Sequence, residues 1–542
     1  MRRAQSWWIA LAGVLSTVVI ALTWQRAGYG LDRTDEGLYL LLMADPSSDR
    51  ATTFLAGYLL HPAYLGLGGD IVALRRLAMI LCCVLVAVLV AVVDWRLAGT
   101  GLSRQEATRR SRLWHAAAMG VAACGAGVLA LTLFPMTPSY NTVAFWGGLL
   151  TLTGLALAVP LGASAKGEPR QLDGWLLVGI GGGVAFLGKP TAAAALALLA
   201  GFALLLSAGD RLRALLAAGL GVALSAAGLL ALSGVSPLLL ARTVGQGVRS
   251  ARLLGGHEHL LRLDPLMPNA AGQAVLGQAA PVALQVCLLM AATALAGVAW
   301  RWKRMGRPRG VVAVCLILAP AAVVFGTNVN YWTSMGRLSG FWIAALLLAV
   351  PPPRRAAAVA AAMGVVALIV LTSGEYSYRY PSRGTEAVLT TATRGGARVE
   401  LEPQDAAATE ALLAAGARHG LAGAPMLDTT GASPGYIYAL GGKPLGSAWL
   451  IGGYPGSAEA AGYALSLESC QRLGQARILY APDSPRRIAA IWDQLGVQPS
   501  DYRHLFSFRH VLGYQVQVLA PAGEAISPRS CARASAPGAA PR

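Results

Sequence analysis

A cluster of acidic residues directly follows the first apolar stretch of the chain. The segment Asp32-Arg33-Thr34-Asp35-Glu36-Gly37-Leu38-Tyr39 comes shortly after a mostly apolar run that begins near Trp7. Carboxylates beside a lipid phase are costly unless they face water or a partner, and such residues commonly serve a function. They also favour a helix N-terminus, where exposed amides and the helix dipole attract negative charge. The cluster therefore predicts chemistry at a membrane surface, or the start of a helix.

Basic side chains near the same surface are candidates for binding a negatively charged group. Lys189 interrupts a long apolar stretch at Gly188-Lys189-Pro190, where the chain is expected to reverse between two membrane spans. A lysine there can extend along the surface toward lipid headgroups or contact a lipid-borne phosphate, and both interpretations remain open. Arg249 and Arg252 lie in a later loop, and Arg337 follows another polar turn. Arginines suit phosphate groups, so these three join Lys189 as candidates.

The composition identifies the elements that position these residues. Hydrophobic residues make up 55% of the 542 residues and charged residues only 13%, with a mean hydropathy of +0.54. These values depart far from those of a soluble domain and predict a polytopic α-helical membrane protein. Apolar runs long enough to cross the hydrocarbon layer as helices recur about eleven times. We place them near residues 7–25, 71–93, 114–134, 142–163, 174–188, 190–208, 214–233, 279–300, 310–326, 332–350 and 356–373.

The distribution of Lys and Arg predicts the orientation of these helices. Basic residues concentrate in alternate short loops, and such loops are retained on the cytoplasmic side. We therefore expect the N-terminus on the cytoplasmic side of the cytoplasmic (inner) membrane. The first outer loop (about residues 26–70) and everything after residue 373 are expected on the opposite side, outside. The net charge of +18 is largely this topology signal, and the sequence carries no nucleic-acid motif.

The sequence after residue 373 loses its long apolar runs and gains charge. Strand-like stretches at 425–429, 476–481 and 514–520 alternate with helix-like ones at 404–419, 457–473 and 485–496. We therefore predict a transmembrane domain over residues 1–373, a C-terminal extracytoplasmic α/β domain over residues 374–532, and a disordered tail over residues 533–542.

Two of the seven cysteines lie in the predicted extracytoplasmic domain. The other five fall inside predicted spans, where cysteine commonly packs as a small apolar residue. Cys470 and Cys531 are expected in an oxidising compartment, so we predict a disulfide bond between them. Closing a loop of about 60 residues would stabilise the domain by about 4 kcal/mol. No cysteine spacing suggests a zinc site, and we assign no metal ligand.

The order of these features resembles the GT-C superfamily of membrane glycosyltransferases, which includes protein O-mannosyltransferases and the aminoarabinose transferases that act on lipid A. Those families carry an Asp-Glu pair with a following Tyr in the first outer loop, here Asp35, Glu36 and Tyr39. A Pro-containing stretch follows, similar to His61-Pro62-Ala63-Tyr64, and then an Arg-Leu at the second span, similar to Arg76-Leu77. Lys189 after a Gly-rich span and an α/β domain after the last span complete the resemblance.

The resemblance implies an inverting glycosyltransferase that moves a sugar from a polyprenyl-phosphate donor to a glycan, lipid or protein acceptor outside the membrane. A phosphate leaving group needs no general acid, so one carboxylate acting as base can suffice while cations stabilise the leaving charge. We assign Asp35 as that base. Glu36 is expected to orient the loop, contact the acceptor or help hold a divalent metal. Lys189, Arg337, Arg249 and Arg252, with His61 and Tyr39, are expected to bind substrate or phosphate.

Two other functions remain as alternatives. A transporter or lipid flippase would need charges within spans or paired, similar halves, and the sequence has few mid-span charges and no evident repeat. A polymerase or ligase of lipid-linked glycans would also use carboxylates and arginines at the outer face. It would differ in consuming a diphosphate-linked oligosaccharide instead of a monophosphate-linked single sugar.

Overall fold

The computed structural model describes residues 2–98, 109–132, 136–161, 170–207, 209–255, 280–326, 331–372 and 386–523. The chain forms two compact units. The first, here the membrane unit, comprises Met1–Ala27, Arg75–Ala231 and His259–Tyr376, and the second, here the α/β unit, comprises Gly28–Leu74, Leu232–Glu258 and Ser377–Arg542. The predicted first outer loop thus folds with the C-terminal region.

The described residues contain helices of two kinds, long apolar ones in the membrane unit and shorter ones in the α/β unit. In chain order they are α1 (Arg2–Arg26), α2 (Asp35–Ala44), α3 (Ala56–Gly66), α4 (Ile71–Ala98), α5 (Arg109–Ala123), α6 (Leu129–Thr132), α7 (Tyr140–Ala158), α8 (Arg170–Gly188), α9 (Pro190–Ser207), α10 (Arg211–Ser233), α11 (Pro237–Leu254), α12 (Ala280–Met305), α13 (Arg307–Val324), α14 (Tyr331–Gly336), α15 (Gly340–Ala349), α16 (Arg355–Thr372), α17 (Pro403–Arg418), α18 (Pro434–Leu440), α19 (Ser457–Ser466), α20 (Cys470–Gly474) and α21 (Ala490–Leu495).

The membrane unit confirms a multi-pass membrane protein. Nine helices among the described residues are long and apolar enough to cross a membrane. Each of the eleven predicted spans coincides with helical structure, but two of them are interrupted. The third is divided into α5 and α6 by a 3-10 segment, and the tenth into α14 and α15. In the third, Gly127 packs where an added Cβ would lie 2.5 Å from the Cys82 carbonyl oxygen, so this segment can approach α4 closely only with small residues.

Small residues also bring α7 and α8 together, and α8 leads directly to Lys189. An added Cβ at Gly154 would lie 2.7 Å from the Gly174 carbonyl oxygen, and one at Gly174 would lie 2.5 Å from the Ala158 backbone nitrogen. Such spacing is tighter than ordinary packing, so glycine permits the backbones to meet. An added Cβ at Gly188, the last residue of α8, would likewise lie 2.6 Å from the Ala144 backbone nitrogen, so the end of α8 that precedes Lys189 is also packed closely against α7.

The α/β unit contains a five-stranded mixed sheet in the order β4-β3-β5-β7-β6 and a separate antiparallel hairpin of β1 and β2. Strand β3 pairs parallel with β4 and β5, whereas β7 pairs antiparallel with β5 and β6. The predicted strands at 425–429, 476–481 and 514–520 correspond to β3, β5 and β7, which confirms an α/β fold. The strands are β1 (Val388–Thr391), β2 (Arg398–Leu401), β3 (Pro425–Asp428), β4 (Lys443–Pro444), β5 (Arg477–Tyr480), β6 (Tyr502–Arg509) and β7 (Gln515–Pro521).

The Gly28–Leu74 segment is joined to the C-terminal part of the α/β unit by backbone hydrogen bonds. Gly30 donates its N–H to the Glu400 carbonyl oxygen and Glu400 donates to that of Gly28, both at 2.8 Å. The segment then enters α2 after one short turn. These bonds fix the residues that immediately precede the acidic cluster, because Glu400 itself belongs to the β1–β2 hairpin.

Candidate functional site

The acidic cluster closes a tight turn at the start of α2. The Asp32 carboxylate accepts hydrogen bonds from the Thr34 N–H at 2.9 Å and the Thr34 hydroxyl at 2.6 Å. The Glu36 carboxylate accepts from the Asp32 N–H at 2.9 Å, and its residue is only 1% exposed. Asp35 is the first residue of α2 and is half-buried. The side chains of Asp32 and Glu36 are therefore used within the turn, and Asp35 is the more accessible carboxylate.

Helix α2 lies directly against α18. A Cβ at Gly37 would overlap the Gly435 backbone, and a Cβ at Gly435 would lie 2.5 Å from the Arg33 Cα. The Gly435 N–H also donates to the Arg33 carbonyl oxygen at 2.8 Å. Gly435 and the short apolar stretch of α18 thus support the segment that carries Asp35.

Three further side chains of the Gly28–Leu74 segment lie on α2 or on α3. Tyr39 is 4% exposed on α2, and the His61 Nδ1 lies 2.6 Å from the Met43 carbonyl oxygen. The Tyr64 hydroxyl lies 3.0 Å from the hydroxyl of Tyr438 on α18. Burial, followed by the neighbouring Tyr64 and the Glu36 charge, raises the pKa of Tyr438. This phenol therefore stays protonated and can act as a hydrogen-bond donor.

The membrane unit carries a second cluster, which is cationic. Lys189 lies between α8 and α9 and is only 2% exposed. Its Nζ has no hydrogen-bond partner within the described part of the chain. Arg337 is 8% exposed and donates from Nη2 to the Ser334 hydroxyl at 3.2 Å. Burial, and then the Arg337 charge, lowers the pKa of Lys189 to about 7. The side chain is enclosed by protein, so it does not extend along a lipid surface.

Arg249 and Arg252 lie on α11 in the α/β unit and are both exposed. The guanidinium carbon of Arg249 lies 4.8 Å from the centroid of the Tyr463 ring on α19. A cation over an aromatic face is attracted by the ring quadrupole, typically by about 0.5 to 1 kcal/mol at an exposed site. Six of the predicted site residues thus belong to the α/β unit (Asp35, Glu36, Tyr39, His61, Arg249 and Arg252), and two, Lys189 and Arg337, belong to the membrane unit.

The predicted disulfide bond is only partly covered by the described residues. Cys470 is disulfide-bonded. Cys531 lies outside the described residues, so its pairing with Cys470 stays a prediction. Across the described ranges, no group of three or more His, Cys, Asp or Glu residues could hold a metal ion.

Two charged residues that the sequence pattern did not single out are buried in the α/β unit. Asp49 is 3% exposed and accepts hydrogen bonds from the Ser447 hydroxyl at 3.1 Å and the Ala448 N–H at 3.2 Å. Arg33 is 4% exposed and donates from Nη2 to the Thr409 hydroxyl at 2.8 Å. The sequence offers one signal for Arg33, which is that a single arginine lies among three acids. Nothing comparable marks Asp49.

No protein-family model matches the chain, and no curated protein sequence matches it significantly. The chain is similar in structure to the oligosaccharyltransferase AglB of Archaeoglobus fulgidus, with 11% identity and a TM-score of 0.46 over 97% of this chain and 77% of AglB. It is also similar to the mycobacterial arabinofuranosyltransferase AftD, with 17% identity and a TM-score of 0.47 over 97% of this chain and 40% of AftD. A third similar structure is ArnT of Cupriavidus metallidurans, bound to undecaprenyl phosphate, with 12% identity and a TM-score of 0.43 over 96% of this chain and 98% of ArnT.

Proposed function

We propose that this chain is an inverting glycosyltransferase of the cytoplasmic membrane. It would move a sugar from a polyprenyl-phosphate carrier to an acceptor at the outer face, where the α/β unit would lie. The observation that supports this most directly is the buried Lys189, whose ammonium group has no hydrogen-bond partner within the described residues. A buried charge without a partner is costly. A phosphate group would supply the missing negative charge, and a lipid-borne phosphate is suited to a membrane unit.

In the proposed reaction the acceptor hydroxyl attacks the anomeric carbon of the donor sugar from the face opposite the phosphate. The bond from that carbon to the phosphate oxygen breaks, and the configuration inverts. The acceptor proton passes to the Asp35 carboxylate, and the electron pair leaves with the polyprenyl phosphate. Lys189 and Arg337 would stabilise the charge that develops on the leaving phosphate. Glu36, which is engaged with the Asp32 N–H, would keep the turn in shape.

The role of Asp35 as the base is tested by comparing it with a second carboxylate at the other end of the same helix. Asp35 begins α2 and Asp45 follows its last residue, and both are half-buried. Cells lacking this protein are complemented with the intact chain, Asp35→Asn or Asp45→Asn, and carrier-linked sugars and envelope glycans are measured by mass spectrometry. Loss of a general base lowers the rate by about 10² to 10⁴-fold. In cells with Asp35→Asn, we expect one carrier-linked sugar to accumulate and one envelope glycan to lack a sugar. In cells with Asp45→Asn, the amounts of both should return to those given by the intact chain.

Two outcomes would contradict the proposal in different ways. Full restoration by Asp35→Asn would refute its role as base while leaving the reaction class in place. No accumulation of any carrier-linked sugar in cells lacking the protein would refute the reaction itself.

The cations are tested separately by donor affinity. A hydrogen bond to a charged group contributes about 1.5 to 3 kcal/mol, so Lys189→Met should weaken donor binding by about 10 to 150-fold. Lys303, an exposed lysine near the end of α12, is the matched control, and Lys303→Met should bind the donor normally. Equal affinity of the two variants would remove Lys189 from the phosphate site.

A further inference from the structure

The α/β unit contains a cavity that the proposed reaction does not use. Its volume is about 410 Å³, within the range of small-molecule sites. Strand β6, the loop after it, α17 and the residues before α2 all contribute to its wall. The polar and aromatic side chains of this wall include Arg33, Gln404, Asp405, Phe508, Arg509 and His510.

One buried polar group in this wall lacks a hydrogen-bond partner among the described residues. The Arg33 side chain donates from Nη2 to the Thr409 hydroxyl, but its Nη1 has no hydrogen-bond partner among the residues that the structure describes. Burial lowers the pKa of Arg33, but an arginine remains charged in proteins. A buried donor left unsatisfied is unfavourable, because it has lost its hydrogen bonds to water. A ligand with an oxygen acceptor would remove that cost.

An aromatic surface lies beside this donor. The Phe508 ring is half-buried and lines the cavity, and its centroid lies 4.6 Å from that of Tyr436, which also lines it. The Arg33 guanidinium carbon lies 5.4 Å from the centroid of the Tyr436 ring, so the Arg33 donor lies beside this pair of aromatic rings. Aromatic faces carry negative charge and attract the positive C–H groups of a ligand. The cavity therefore offers both a hydrogen-bond donor and a stacking surface.

The charges of the cavity decide between a neutral and an anionic ligand. Its wall carries two cations, Arg33 and Arg509, and two acids, Glu402 and Asp405. Burial lowers the pKa of His510 to about 4, so this imidazole is neutral. The wall thus has no net charge, and it presents acceptors as well as donors. An anion therefore gains no net electrostatic attraction from the wall, whereas hydroxyl groups can both donate to the acids and accept from the guanidinium groups.

We propose that this cavity binds a neutral saccharide, with one sugar ring against Phe508 and a hydroxyl oxygen on Arg33. Glycan binding at this place would be a separate property from sugar transfer, because none of the groups assigned to the reaction lines the cavity. Gln404 and Asp405, which are exposed at its wall, would contact hydroxyl groups of the same ligand.

The experiment measures binding by the full chain in lipid nanodiscs without any donor lipid. A panel of neutral monosaccharides and disaccharides is tested by saturation-transfer NMR, with glucuronate and inorganic phosphate as anionic probes. Phe508→Ala removes the aromatic face against which the sugar ring would pack, and Gln404→Ala removes a hydrogen-bonding group at the wall. We expect at least one neutral saccharide to bind, with affinity reduced about 10-fold or more by Phe508→Ala and by Gln404→Ala.

The matched control is Phe506→Ala. Phe506 lies on the same strand β6 but stacks on His419 with centroids 5.6 Å apart and does not line the cavity. Its removal should leave saccharide binding unchanged, and thermal unfolding of every variant verifies that it is folded. Binding of glucuronate or phosphate alone, equal losses in Phe506→Ala and Phe508→Ala, or no saccharide binding by the wild type would each overturn the proposal. Because no donor is present, a failure here leaves the transfer reaction untouched, and the reverse also holds.

Discussion

The packing of α2 on α18 leads to a prediction that depends on no assumption about substrate. A Cβ at Gly37 would overlap the Gly435 backbone and lie 3.0 Å from the Pro434 carbonyl carbon. Carbon atoms prefer separations of about 3.5 to 4.0 Å. Gly37→Ala would therefore force α2 and α18 apart by roughly 1 Å, and the displacement would begin two residues from Asp35.

The magnitude follows from two opposing effects. Alanine favours a helix over glycine by about 0.5 to 1 kcal/mol, whereas overpacking of a close contact costs about 1 to 3 kcal/mol. We expect a net loss of about 1 kcal/mol, and at most about 2.5 kcal/mol, in the free energy of unfolding of the α/β unit. Gly245 on α11 provides the control, because no atom of the described residues outside its own helix lies within 4 Å of an added Cβ there. Gly245→Ala should instead stabilise the unit by about 0.5 to 1 kcal/mol.

The assay is thermal unfolding of both variants in detergent, followed by circular dichroism. The two variants should differ by about 2 kcal/mol, which corresponds to about 4 to 8 °C for a unit of this size. If the proposed reaction is correct, Gly37→Ala should also slow transfer by up to about 10²-fold, since a shift of this size misaligns a catalytic group. A Gly37→Ala protein that melts at or above the wild-type temperature would refute the close packing of α2 on α18.

Three further predictions concern charged or titratable side chains. Asp49→Ala removes the acceptor of the Ser447 hydroxyl and of a backbone N–H, so the free energy of unfolding should fall by about 2 to 3 kcal/mol in chemical denaturation. The pKa of His510 is about 4 in the folded unit, against about 6.5 in the unfolded chain. Between these pH values the unfolded chain binds more protons, so the folded unit loses stability as the pH falls from 6.5 to 4. The stability advantage of the wild type over His510→Gln should therefore shrink by about 3 kcal/mol between pH 7 and pH 4. Arg75→Met should lower the melting temperature more than Arg76→Met, because Arg75 is 2% exposed and donates to a backbone carbonyl at 2.9 Å, whereas Arg76 is half-buried over a tryptophan ring.

The membrane part of the fold was predictable because it depends on the length and composition of local segments. An apolar run of about 20 residues has few options other than a spanning helix. The interruption of the third span was not predictable in the same way. Gly125 and Gly127 occur where the chain meets Ser16 and Cys82, and the sequence does not reveal which distant residues a glycine approaches.

The α/β unit shows the same division between local and distant information. Strands β3, β5 and β7 contain buried β-branched and aliphatic residues and were recognised, but β6 was not. Its sequence from Tyr502 to Arg509 carries three basic side chains, Arg503, His504 and Arg509, all of them exposed. A partly solvated strand beside β7 tolerates such residues, so it lacks the apolar pattern on which the prediction relied. Yet this strand supplies Phe508 and much of the cavity wall.

The acidic cluster shows why the roles of neighbouring residues could not be separated from the sequence. Four charged residues within five consecutive positions take three different parts once the chain turns into α2. Asp32 and Glu36 are engaged within the turn, Arg33 lines the cavity, and Asp35 stays half-buried at the start of the helix. Their positions are joined through α18, which contacts α2 at Gly435 and lines the cavity with the next residue, Tyr436. A larger residue at either glycine would displace α2 from this short helix, and therefore the arrangement of the cluster depends on a contact nearly 400 residues away in the sequence.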